Sequence, residues 1–175
     1  VVLLNADIIS SKVSKNDTVV LGWIKGNGIE AGGTSYIANN EIINAGAVTT
    51  FNEYAVVSEN RLVIVPTGIP MDIAALFGCA VLTGSGIITN TIKPKDGSSI
   101  AFYGLGGIGI SAMAASNLYS FKKIFAVDIN QDRLNLAKEF GATHIVNPLD
   151  EDPVSFIRNH TDDAGVDYAV DAAGI

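Results

Sequence analysis

Hydrophobic positions change their rhythm along the chain. Residues 18–24 (TVVLGWI) form an apolar run that reads as a buried strand. Glycine and asparagine then dominate residues 26–46 without a clear period, so an excursion or lobe is expected there. Residues 51–58 (FNEYAVVS) and 61–65 read as short strands of an antiparallel, barrel-like region. Pro66 and Pro70 punctuate the next stretch, and Asp72 is placed to cap a short helix over 73–77.

Beyond Cys79 the texture alters. Residues 80–92 predict a helix of small residues stopped by Pro94, and 99–103 an apolar strand. Residues 106–119, rich in Ala, Ser and Gly, predict a second helix, and 123–127 a second strand. Asn130 can cap the next helix, whose Leu134, Ala137 and Phe140 share one face, and Gly141 ends it. A third strand is expected over 143–146. Asp152–Pro153 reads as an N-cap followed by proline in the first helical turn, and 166–170 as a fourth strand. Apolar strands alternating with helices predict a parallel sheet with helical crossovers.

The turn between the first of these strands and its helix carries candidate chemistry. In IAFYGLGGIG, Gly104, Gly106 and Gly109 match G-x-G-x-x-G, with Gly107 inside the same loop. Gly104 permits a tight turn, Gly106 lets a pyrophosphate approach the backbone, and Gly109 lets helix and sheet pack closely. The helix N-terminus then offers free N–H groups to phosphate. Asp128 ends the next strand about 20 residues on, where the fingerprint places a ribose-binding carboxylate. Its alternative role is that of a helix-capping acid. A carboxylate there accepts from both ribose hydroxyls and repels a 2′-phosphate, which favours NAD over NADP. Arg133 blurs that preference: it can stack on the adenosine or serve as a solvated helix charge.

Composition narrows the class. Apolar residues make up 48% and charged residues 17%, below the usual quarter, which fits much buried sheet and an oligomer interface. A net charge of −7 with no basic run argues against nucleic-acid binding. No apolar stretch is long enough to span a membrane. The single cysteine, Cys79, forms no internal disulfide, and a reducing, cytoplasmic location is the expected one.

The collinear set GCAVLTG (residues 78–84), KPKDGSSIAFYGLGGIG (93–109), VDIN (127–130), EFGATHIVN (139–147) and VDYAVDAAG (166–174) resembles zinc-type, medium-chain alcohol dehydrogenases. NDTVVLG (16–22) and TFNEYAVV (50–57) resemble parts of that family's catalytic domain. The resemblance implies an α/β fold, with part of a GroES-like, mainly antiparallel β domain over residues 1–78. The first half of an NAD-binding Rossmann domain is expected over 79–175. The resemblance also implies hydride transfer between an alcohol or carbonyl substrate and NAD, with zinc holding the substrate oxygen. Cys79 matches a catalytic zinc ligand in the GC-x-x-x-TG segment; its alternative is a buried core thiol. Thr83 matches a position near the nicotinamide, or is a helix-interior threonine. Ile108 matches an apolar residue under the nicotinamide, or is ordinary packing. His144 and His160 have no motif partners and read as strand-edge or surface histidines.

The chain also departs from the family pattern. No Gly-His-Glu signature precedes Cys79, and residues 26–46 lack the four cysteines that hold structural zinc in many members. That lobe is expected either to hold itself without metal or to be loosely ordered. The chain reads as about half a subunit of a homo-oligomeric parent, expected by itself to be inactive and to bind NAD weakly or not at all. A zinc-free, quinone reductase-like protein and a non-catalytic nucleotide-binding protein remain the competing readings.

Overall fold

The computed structural model describes residues 2–3 and 12–174. The chain divides into two compact units, Val1–Cys79 and Ala80–Ile175.

In the first unit, β1 (Val2–Leu3) and β2 (Thr18–Leu21) are antiparallel. A hairpin of β3 (Thr34–Ala38) and β4 (Glu41–Gly46) comes next, and β5 (Leu62–Ile64) then pairs antiparallel with β2. The expected continuous buried strand over 18–24 is instead a half-buried one. Val19 and Leu21 point into a small core with Val13 and Leu62, while Trp23 and Ile24 lie beyond the strand and are exposed. Antiparallel strands that cover one face alternate in this way. The glycine-rich stretch, expected to be an excursion or lobe, contains the β3–β4 hairpin. Its turn residues Asn39 and Asn40 both take positive φ (52° and 64°), as a two-residue primed turn requires.

Residues 51–58 do not form the expected strand. Their apolar side chains, Phe51 and Tyr54 among them, face solvent, and only Val57 packs on the core. The segment runs into a buried 3₁₀ turn, Glu59–Arg61. Helix α1 (Met71–Leu76) starts earlier than expected, with Pro70 at the N-cap. Asp72 lies in its first turn, where its carboxylate accepts from the Ile73 amide (2.9 Å).

The second unit opens with α2 (Ala80–Gly86), which widens into a π turn, Ile87–Ile92. The expected single helix over 80–92 is therefore of two kinds. The hydroxyls of Ser85 and Thr89 bond back to Val81 and Ser85 carbonyls (2.6 and 3.1 Å), competition that accompanies departures from α geometry. Lys93, at φ 47°, closes it ahead of Pro94. The rest of the unit comprises β6 (Ser99–Tyr103), α3 (Gly107–Ser116), β7 (Lys123–Val127), α4 (Gln131–Glu139), β8 (His144–Val146), α5 (Pro153–Asn159) and β9 (Tyr168–Asp171). The four strands form an all-parallel sheet in the order β8-β7-β6-β9.

Both faces of this sheet are covered. Ile100, Phe102, Ile124 and Ala126 face one core with Met113 and Leu134 of the helices. Ala101 and Phe125 face the other, with Ile157 of α5. Two-sided burial is why β6 and β7 are nearly continuous apolar runs. Each fully buried phenylalanine, Phe102 and Phe125, contributes about 1.5–3 kcal/mol. The caps read from sequence are present. Asn130 Oδ1 accepts from the Asp132 and Arg133 amides (2.9 and 3.2 Å), and Asp152 Oδ2 from the Ser155 amide (2.8 Å), with Pro153 at the first turn. Among the described residues, no helix is long and apolar enough to cross a membrane.

Candidate functional site

The strand order dictates where a ligand can sit. Moving along the chain, β7 and β8 add to one side of β6, and β9 returns to its other side. Loops at the carboxyl ends of β6 and β9 therefore leave in opposite directions and open a crevice. A cleft of about 410 Å³ lies at this end of the sheet. Its lining includes Tyr103 at the end of β6, Gly104 and Gly106 after it, Asp128 after β7, Pro148 after β8 and Ala172–Ala173 after β9, with Arg133 from α4.

The glycines meet distinct steric demands. Gly104 has φ 82°, and a Cβ there would stand 2.6 Å from the Ala173 backbone. Gly109 packs against the Gly104 carbonyl: a Cβ would overlap that oxygen and lie 3.0 Å from its carbon. Gly106 is the opposite case. It is the N-cap of α3, at an unstrained φ of −69°, and nothing lies within 4 Å of where its Cβ would be. No side-chain cap bond is made at the Gly106 N-cap of α3, and uncapped helix N–H groups of this kind suit an anion.

Asp128 is buried, 7% exposed, at the floor of the cleft. Its Oδ2 accepts from the Leu105 amide (2.7 Å) and its Oδ1 from the Asn130 amide (2.8 Å). The carboxylate thus braces the glycine loop, while the cap of α4 is Asn130 rather than Asp128. The half-exposed Arg133 guanidinium stands 3.7 Å from Asp128 Oδ2. The brace to Leu105 joins residues 23 apart in sequence, and the pattern G-x-G-x-x-G says nothing of it.

The remaining candidates fall around this cleft or away from it. Gly107, Ile108 and Gly109 lie on α3 and do not line this cleft, and Ile108 is 37% exposed. Thr83 is exposed on α2. The neighbouring Gly84 abuts the Ile108 carbonyl and would place a Cβ 2.7–2.8 Å from Ser111 and Ala112, so α2 and α3 meet backbone to backbone. Cys79 is exposed at the end of the first unit. Among the described residues no group of three or more His, Cys, Asp or Glu is arranged to hold a metal ion.

His144 and His160 lie at the amino-terminal end of β8 and the C-cap of α5, the far end of the sheet from the cleft. Their rings, 4.9 Å apart, join Phe125 and Phe156 in one aromatic cluster. Burial, then the neighbouring His160 and Lys123 charges, push the His144 pKa below its ordinary value.

The glycine loop, the sheet order and known proteins agree. Residues 107–175 match the family described as zinc-binding dehydrogenase. A Schizosaccharomyces pombe protein named as a putative S-(hydroxymethyl)glutathione dehydrogenase is 33% identical over 153 residues, 86% of this chain. These matches support the zinc-type alcohol dehydrogenase family for this chain. Benzyl alcohol dehydrogenase from Acinetobacter calcoaceticus superposes with a TM-score of 0.77 at 29% identity, over 94% of this chain. A zinc-binding-domain alcohol dehydrogenase from Burkholderia ambifaria superposes with the same score at 31% identity, also over 94%. The α/β architecture of these dehydrogenases, a Rossmann-type parallel sheet with a GroES-like antiparallel part, is that of this chain. The chain spans 40% of the length of the Schizosaccharomyces pombe relative and 51% of each of these two structures.

Proposed function

We propose that this chain carries the adenosine side of the cofactor site of an NAD-dependent, zinc-type alcohol dehydrogenase. The observation that supports this most directly is the buried Asp128 carboxylate on the cleft floor beside the open Gly106 position. The residues present fit a dinucleotide. Gly106 leaves room for a pyrophosphate at the start of α3, and Gly104 and Gly109 hold the turn that presents it. Asp128, already oriented by two backbone N–H groups, accepts from the ribose hydroxyls, and Arg133 flanks them. Thr83 and Ile108 are assigned to the nicotinamide side. When bound, NAD supplies the hydride acceptor for oxidation of an alcohol to a carbonyl compound.

Zinc is a different matter. A catalytic zinc takes three protein ligands and keeps one open position. Cys79 offers one exposed thiol, and no set of three surrounds it among the described residues. We propose Cys79 only as one of the ligands of such a site. The same reading carries a small alcohol or carbonyl substrate, a homo-oligomeric assembly and a cytoplasmic location.

NMR titration of the chain with NAD and NADP into the millimolar range, where binding is worth about 4 kcal/mol, tests the cofactor assignment. NAD should bind better than NADP, shifting Leu105–Gly109 and Asn130 amides. Asp128→Ala should weaken NAD by about 1.5–3 kcal/mol and narrow the preference. Equal affinity of the unsubstituted chain for NADP would assign Arg133 to a 2′-phosphate and overturn the NAD reading.

A further inference from the structure

Family resemblance implies a structural zinc in the stretch after β2, and the residues present there do not fit one. The buried Glu59 carboxylate accepts from the Ile29 amide through Oε2 (2.7 Å) and from the Lys12 amide through Oε1 (3.0 Å). The buried Ser58 hydroxyl accepts from the Ala31 amide (2.9 Å). Asn60, also buried, donates from its side chain to Glu30 Oε2 (3.0 Å), and its carbonyl accepts from the Gly26 amide (2.8 Å). Glu30 faces two cations, Lys25 Nζ at 3.0 Å and Arg61 Nη2 at 4.0 Å, and the Arg61 guanidinium donates to the Trp23 carbonyl. At Gly28 (φ 123°) a Cβ would lie 2.8 Å from Glu59 Oε2, so the loop lies directly on that carboxylate.

This arrangement is the reverse of a metal site. Metal ligands point free lone pairs at one empty point. Here the carboxylate oxygens are aimed at N–H donors, and Lys25 and Arg61 put positive charge beside Glu30, where a cation would be repelled. A buried carboxylate accepting two backbone N–H groups is worth more than neutral bonds of the same geometry. It also ties residues 30 and 47 apart in sequence to one turn.

We infer that residues 25–31 are held by a metal-independent clamp, in which Glu30 and Glu59 with the Ser58–Arg61 turn replace a structural ion.

Amide exchange on the chain, with and without chelator and with equimolar zinc, tests this. Chelator and zinc should both leave the thermal midpoint and the protection of the Ile29 and Ala31 amides unchanged. Glu59→Gln turns one acceptor into a donor facing an amide, and should speed exchange at Ile29 by about tenfold or more while sparing β6. Ser58→Ala keeps the buried volume, so it serves if Glu59→Gln does not fold, and should release Ala31 selectively. Protection that rises with zinc or falls with chelator would overturn the inference. So would protection of Ala31 that is unchanged in Ser58→Ala.

Discussion

Gly106, at the N-cap of α3, and Gly109, in its first turn, sit three residues apart, yet methyl groups added to them should have opposite effects. At Gly106 the backbone is unstrained and no atom lies within 4 Å of the new Cβ. The entropy gain of Gly→Ala, about 0.4–1 kcal/mol, is offset by the poorer capping of alanine, about 1 kcal/mol. Net stability should therefore change little. The methyl instead fills the space through which a pyrophosphate reaches the N–H groups of α3. NAD affinity should fall at least about tenfold, or 1.4 kcal/mol. At Gly109 the methyl would overlap the Gly104 carbonyl oxygen, and loop or helix must move. Overpacking of that kind costs about 1–3 kcal/mol, which for a chain of this size lowers the thermal midpoint by about 2–12 °C. Thermal melts followed by circular dichroism, paired with NAD titrations by NMR, separate the two. Gly106→Ala with unchanged midpoint and unchanged NAD affinity would refute the pyrophosphate assignment. Gly109→Ala with an unchanged midpoint would refute the packing argument.

Gly84→Ala should part α2 from α3, because its Cβ meets the Ile108 carbonyl, Ser111 and the Ala112 amide; a loss of about 1–3 kcal/mol is expected, and an unchanged melt would contradict it. The lowered His144 pKa means that the unfolded chain takes up this proton first as pH falls below 6.5. Stability from this group is therefore complete above 6.5 and declines toward the lowered value. His144→Gln should flatten the pH dependence of the midpoint in that window, and an identical slope in the variant would contradict the assignment. Glu30, held at about 2 chiefly by the Asn60 hydrogen bond and then by Lys25, contributes stability above its ordinary 4.5 that is lost as pH falls from there toward 2. Exchange protection of Ile29 should track that acid limb more steeply in the unsubstituted chain than in Glu30→Gln.

Much of the second unit was legible because its signals are local. Strands β6 and β7 have the expected bounds, and Asn130 and Asp152 cap their helices through side-chain bonds two or three residues away. The first unit was less legible. The Asn39–Asn40 turn lay in plain view inside a stretch with no overall period. Residues 51–58 carry several strand-forming side chains but pair with no strand among the described residues, and strand formation depends on such a partner rather than on the run itself.

Period and capping arise from residues within a turn of one another, so the sequence by itself determined the parallel α/β pattern, the glycine loop and the acid that ends β7. Tertiary structure decided what depends on distant residues. Position beside β6 came to β9 through pairing across nearly 70 residues, and that pairing places Ala172–Ala173 against Gly104. Asp128 became a brace as well as a ribose candidate only because the fold brings the Leu105 amide to it. Cys79 proved to be exposed, and Gly84 a helix contact, for the same reason: burial and close approach are set by neighbours that no local pattern names.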